Sequence, residues 1–319
     1  MSFGLTRIDL EEGAPTREAF GEALAEMGGD ERIVVIDGDV NNSTFTIHFK
    51  EKYPNRFFNV GIAESNMVGI AAGLAGAGKI PVASSFSVFL LANAFDQIRM
   101  SVAFPNQNVK LVGTHAGISI GEDGPSQMAI EDLALACSLP GFTVIVPADA
   151  PSTAAATKAM IERDGPTYVR CGRPKVPLIY SDGDPFHIGQ ANCIRDGDDV
   201  TIIANGIMVA MALDAAEGLA QEGIVARVLD MHTVKPIDTE AIERAANETR
   251  AIVVAEEHLA YGGLGATVAA VVSEKKPTRM AYVNIGDTYA TSGKADEVLV
   301  QYGLTPGAIE DAVQRALKD

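Results

Sequence analysis

The chain has 319 residues, 47% of them hydrophobic and 21% charged, which is ample for a buried core and suggests two domains. Its formal net charge of −17 repels nucleic acid and anionic membranes, so neither is expected as a partner. The N-terminus MSFGLTRIDLEEG lacks the basic and apolar regions of a signal peptide, and three widely spaced cysteines (Cys137, Cys171, Cys193) read as free thiols, so a cytoplasmic location is expected.

Short β-branched runs alternate with helical segments, which is the α/β pattern. A helix is predicted over 16–28, with Phe20, Leu24 and Met27 on one face and Thr16 as its cap. Strands are predicted at 32–37, 57–60, 80–85, 109–114, 142–147 and 167–171. They are apolar without alternation, as in a parallel sheet covered on both faces. Helices are expected between them at 65–77, about 91–103, 129–138 and 151–163. The longest apolar run, VGIAAGLAGAG, stops at Lys79 and is too short for a membrane span. The stretch 174–187, PKVPLIYSDGDPFH, reads as a linker. Strands at 199–205, 225–230, 251–256 and 279–285 then alternate with helices near 207–221, 239–246 and 263–274. The expected division is 1–174, a linker over 175–188, and a smaller α/β domain over 189–319.

In an open parallel sheet, ligands bind beyond the carboxyl ends of the strands. There the sequence places Ser43, Glu64, Phe86, Phe89, His115, Asp123, Gln127 and Arg173. Each has a plainer reading: aromatic core, bonded histidine, solvated loop cation, or turn former in GEDG. Glu64 also suits the first turn of a helix, where the dipole favours a carboxylate. Glu256-Glu257-His258 looks catalytic by residue type, yet it ends a strand of the second domain and reads as interface or solvated surface. YGGLGA lacks the dinucleotide spacing and reads as a helix-start turn.

The segments RFFNVGIAESNMVGIAAGLAGAGKIPVASSF, THAGISIGEDGPSQMAIEDLA and GPTYVRCGRPKVP, with the ending ATSGKADEVLVQYGLTPGAIEDAV, resemble the transketolase family in order along nearly the whole chain. The resemblance implies a pyrimidine-binding domain followed by the smaller transketolase C-terminal domain. It implies thiamine diphosphate as cofactor, with Glu64 as the catalytic glutamate that hydrogen-bonds N1′ of the aminopyrimidine. Phe86 and Phe89 would flank that ring. Arg17, Ser43, His115 and Arg173 would hold a substrate phosphate through charge-assisted bonds, and Asp123 a sugar hydroxyl. Most of the family has Thr-His-Gln after GEDGP. Here the residues are Ser126-Gln127-Met128, so Gln127 stands where the family histidine meets the donor sugar. Gln can orient a hydroxyl but cannot take up a proton, so an altered donor preference is expected.

The family's diphosphate-and-magnesium motif, GDG followed some thirty residues later by NN, is absent; DGDVNN at 37–42 is too compressed to replace it. No metal ligand is therefore assigned to this chain. The resemblance implies the C-terminal half of a split transketolase, moving a two-carbon ketol unit from a phosphorylated ketose to an aldose. An N-terminal subunit would carry the diphosphate and Mg²⁺ site, in a heterotetramer of two copies of each chain. The alternatives are another thiamine-dependent carboligase subunit (1-deoxyxylulose-phosphate synthase-like or 2-oxo acid dehydrogenase β-like), or a silent partner that kept the fold.

Overall fold

In the computed structural model, residues 3–318 are described, and their elements alternate along the chain. Strand β1 (Glu12–Pro15) leads into helix α1 (Thr16–Glu26). Then come β2 (Ile33–Asp37), the short helices α2 (Asn41–Thr44) and α3 (Ile47–Lys52), β3 (Phe57–Asn59), α4 (Glu64–Gly76) and β4 (Ile80–Phe86). After the turn α5 (Phe95–Gln97) follow β5 (Lys110–Thr114), α6 (Asp132–Ser138), β6 (Thr143–Ile145), α7 (Ala150–Glu162), β7 (Thr167–Arg170) and β8 (Lys175–Pro177). The remainder comprises β9 (Asn192–Arg195), β10 (Val200–Ala204), α8 (Met208–Gln221), β11 (Ala226–Asp230), β12 (Thr233–Lys235), α9 (Thr239–Glu248), β13 (Ala251–Ala255), α10 (Leu264–Lys275), β14 (Arg279–Val283), α11 (Ala295–Gln301) and α12 (Pro306–Leu317).

A seven-stranded sheet has the order β12-β6-β7-β5-β4-β2-β3 and a five-stranded sheet the order β14-β13-β10-β11-β9. All pairings are parallel except those of the edge strands β12 and β9. The interior strands β2 and β5 are buried along their whole length, which is why their sequences are apolar without alternation. The strand β12 crosses from the second half of the chain to close the first sheet, where Val146 N–H also donates to the His232 carbonyl. The expected linker is tied down: β8 pairs with β1, and the Ile179 and Tyr180 N–H groups donate to Asp149. A single apolar cluster joins Ile118, Met128 and Ile130 of the first half to Ile202, Val228 and Val313 of the second.

Two helix expectations need correction. Thr16 does not cap α1; Pro15 occupies the cap, and Thr16 Oγ1 instead accepts the Gly172 N–H at 2.8 Å. The stretch predicted as a helix over 91–103 is widened into π turns at Phe89–Asn93 and Ile98–Ala103. Among the described residues no helix is long and apolar enough to cross a membrane.

Candidate active site

The first sheet changes direction between β2 and β4: the chain leaves β2 toward β3 on one side and returns to β4 on the other. Such a switch point opens a crevice beyond the carboxyl ends of the two strands. Gly38 follows β2 there, Ser85 and Phe86 end β4, and Glu64 begins α4. Glu64 is only 3% exposed. Ser85 Oγ donates to its Oε1 at 3.1 Å, and Asn93 Nδ2 donates to its Oε2 at 3.4 Å. A carboxylate serving only its own helix dipole would face the first-turn N–H groups. This one is held by side chains from two other segments, and the π turn carries Asn93 to it.

Phe86 is nearly parallel to two rings. Its centroid lies 6.0 Å from Phe89 at 14° and 3.8 Å from His115 at 18°. His115 follows β5 with φ of 60°, a left-handed conformation that a non-glycine residue adopts only when its surroundings enforce it. Arg17 Nη1 donates to His115 Nε2 at 3.3 Å. Nδ1 therefore carries the proton and donates to Thr114 Oγ1 at 2.8 Å. Burial, then the positive charges of Arg17 and Arg173, lower the His115 pKa to about 3. At neutral pH it is a hydrogen-bonding ring and not a cation.

Arg17 also donates to the Ser43 carbonyl at 2.8 Å and, through Nε, to the Arg173 carbonyl at 3.3 Å. Burial and the like charge of Arg173 lower its pKa, while Asp123 acts in the opposite sense. Arg173 donates to the Ile120 carbonyl at 2.7 Å and to Glu122 at 3.1 Å. The two arginines line a cleft of ≈ 590 Å³ that also takes in Ser119, Glu122, Lys175 and Lys294.

The structure thus links Arg17, Ser43, Phe86, Phe89, His115 and Arg173 by a chain of contacts, and Glu64 adjoins it through Ser85, the neighbour of Phe86 in β4. The Ser43 link runs through its carbonyl and not its hydroxyl. Asp123 is exposed and reaches Arg17 by charge. Gln127 stands apart from these contacts, its Oε1 accepting from Ser126 Oγ at 2.6 Å. Ser85 and Asn93 are site residues that sequence reasoning missed. Ser85 was findable as a hydroxyl at the end of a switch-point strand; Asn93 depends on a π turn with no sequence signal.

The Glu256-Glu257-His258 group is buried at the junction of the two sheets and is not solvated. Glu256 accepts the Leu264 and Gly265 N–H groups at the start of α10, so YGGLGA is a capped helix start. Glu257 Oε1 accepts the Ser119 N–H at 2.5 Å, and His258 Nε2 accepts that of Ala134 at 3.4 Å. Asp37, in DGDVNN, is consumed by the Val40 N–H and the Thr44 and Thr46 hydroxyls.

Residues 12–178 match the family described as "Transketolase, pyrimidine binding domain", and 189–309 match "Transketolase, C-terminal domain". The chain belongs to the transketolase family. It is 43% identical over 306 residues to the "Putative transketolase C-terminal section" of Methanocaldococcus jannaschii, covering 95% of this chain and 96% of that one. It is 41% identical over 290 residues to the "6-deoxy-6-sulfo-D-fructose transketolase subunit SqwH" of a Clostridium species, covering 91% and 90%. Against human transketolase it is 41% identical over 304 residues, 94% of this chain, and spans only 48% of that protein. A solved chain described as "Split gene transketolase, inactive beta4 tetramer" superposes with a TM-score of 0.90 at 48% identity, covering 96% of this chain and 99% of that one.

The family is thiamine-diphosphate dependent, and the residues present suit the pyrimidine end of that cofactor. Glu64 offers a buried carboxyl whose two oxygens each have one neutral donor and acceptor capacity to spare. Among the described residues no group of three His, Cys, Asp or Glu is placed to hold a metal ion.

Proposed function

We propose that this chain is the C-terminal subunit of a two-chain transketolase that moves a two-carbon ketol unit from a phosphorylated ketose to an aldose. The observation that carries this reading is the buried Glu64 carboxyl at the switch point, held by Ser85 next to the Phe86–His115 stack that Arg17 ties to the Arg17–Arg173 cleft. Bound thiamine diphosphate supplies the nucleophilic carbon and the electron sink. Glu64 holds a proton against N1′ of its aminopyrimidine, and Ser85 and Asn93 fix the carboxyl for that exchange. Phe86 and Phe89 present aromatic faces to the ring, which binds it without charge. Gln127 and Asp123 orient sugar hydroxyls. Arg17, Ser43, Arg173 and the neutral His115 hold the phosphate. The arginine cleft favours this over carboligases whose substrates lack an anionic terminus.

A partner chain brings the diphosphate and Mg²⁺ site, and the working form holds two copies of each chain. The similar solved chain is titled an inactive tetramer, which is consistent with half a site. Co-expression with an N-terminal transketolase chain, followed by assay on a panel of ketose phosphates, tests the reading. In that enzyme, Glu64→Gln is expected to lower kcat by about a hundredfold to ten-thousandfold, because Gln cannot share a proton with N1′. Normal exchange of the cofactor's C2 proton in the variant overturns the role. Robust turnover by the single chain overturns the need for a partner.

A further inference from the structure

The anion cleft has a wall that the four phosphate-end residues do not include. Lys294, just before α11, lines it from the second half of the chain, together with Arg17 and Arg173. Glu122 lines it from the turn Gly121–Asp123. That turn is pressed against the α11 approach: a Cβ on Gly121 would lie 3.0 Å from the Gly293 carbonyl, and one on Gly124 would meet the Ser292 hydroxyl. Both glycines have positive φ, so a side chain at either would strain the turn. The turn that carries Glu122 thus packs directly beside the backbone that carries Lys294.

Glu122 Oε2 lies 3.1 Å from Arg173 Nη1, so a carboxylate holds part of the guanidinium fork. A backbone hydrogen bond of Glu122 itself, then Arg173 and last the Lys294 charge, lower the Glu122 pKa. Lys294 is otherwise paired only loosely, 3.6 Å from the exposed Glu297. The cleft charge then follows. Among the lining residues Arg17, Arg173, Lys175 and Lys294 are positive, and Glu122 and Asp296 are negative. The balance is about two positive charges, which matches a doubly charged terminus better than a singly charged one.

We propose that Lys294, partly offset by Glu122, sets the charge preference of this cleft, favouring a sugar that ends in a dianion such as phosphate over one that ends in a monoanion such as sulfonate. Glu122 acts as the stand-in anion on Arg173 that an entering dianion displaces. The identification of the ligand as a sugar rests on the ketol-transfer reading; the anion preference does not.

One unit charge a few ångström away across water changes monoanion affinity by about threefold and dianion affinity by about tenfold. Lys294→Met is therefore expected to weaken a phosphate-ended ketose about tenfold and a sulfonate-ended one about threefold, expressed in KM. Glu122→Gln shifts both in the opposite direction, again more for the dianion. The assay uses the enzyme reconstituted with its partner. A second arm uses the single chain, which holds every residue of the cleft: titration with inorganic phosphate and with methanesulfonate, followed by calorimetry. Both side chains are exposed, so circular dichroism melting should be unchanged. Opposite shifts of the phosphate-to-methanesulfonate ratio in the two variants support the proposal. An unmoved ratio, or no phosphate binding by the wild-type chain, overturns it. If ketol transfer is absent yet the binding ratios move as expected, the function reading fails and the charge preference stands.

Discussion

His115 shows how one residue can be set by its neighbours against its ordinary behaviour. Its backbone is left-handed, its ring lies on Phe86, and Arg17 donates to it. An imidazolium there would meet two guanidinium groups with little water to screen them. Its pKa falls from 6.5 to about 3, chiefly through burial. In the unfolded chain the same ring takes up a proton near its ordinary value. The unfolded state thus binds more protons between those limits, and the folded chain loses stability as pH falls through that window. His115→Asn keeps a hydrogen-bonding side chain and tolerates the left-handed backbone. Urea midpoints measured from pH 7 to 4 are expected to fall less steeply for the variant. Carboxylates titrate in the same range, so the difference between the two curves is the readout; parallel curves defeat the argument. The histidine, Glu64 and Arg173 were legible because topology puts them after strands, and Arg17 only through the family resemblance. Ser85 ends a strand that was legible, but Asn93 was not, since what matters is its placement around a carboxyl far away in sequence.

At the scale of elements, the interior parallel strands were legible because burial on both faces leaves an apolar run with few readings. Four strands were missed: β1, β8, β9 and β12. They have three or four residues each and pair antiparallel with distant segments, so no local pattern marks them. The α2, α3, α11 and α12 helices also went unread, the first two being too short to show a period. Lys110 is the odd residue of an otherwise apolar strand, and the structure explains it. It is fully buried at the start of β5, where its Nζ donates to the carbonyls of Arg163 at 2.7 Å and Gly165 at 2.8 Å. These carbonyls follow the end of α7, where the helix ladder has run out. Burial lowers the Lys110 pKa to about 7, so near neutrality the amine donates without a full charge to desolvate. Lys110→Met fills the same channel and leaves two carbonyls without a donor. The expected loss is about 1–3 kcal/mol, read as a drop of several degrees in Tm. An unchanged Tm would mean that water replaces the amine at no cost.

Across the whole molecule, exposed large apolar side chains occur on several segments, those around Glu64 among them. The net charge is −17, yet the segments flanking Glu64 expose apolar side chains. Ile62 and Phe104 are each 82% exposed, and Phe58 and Met100 each 47%. Ile62 and Phe58 precede Glu64 on the approach from the edge strand β3, while Met100 and Phe104 follow Asn93 in and after the widened helix. Scattered apolar residues need no explanation, but exposed apolar residues on two segments that lead to a buried carboxyl are expected to meet another chain. Such burial contributes about 25 cal/mol per Å², enough locally to outweigh screened repulsion between acidic chains. Lacking its partner, the chain is expected to bury this surface against a second copy of itself. Light scattering should then give a mass that is a multiple of the 33.5 kDa chain. The double variant Ile62→Glu, Phe104→Glu should run as a monomer with an unchanged circular dichroism spectrum, since both side chains point to solvent. The same variant should fail to pair with an N-terminal transketolase chain and should not recover cofactor binding on mixing. A wild-type monomer at tens of micromolar, or a variant that still assembles, would place the contact surface elsewhere on the molecule.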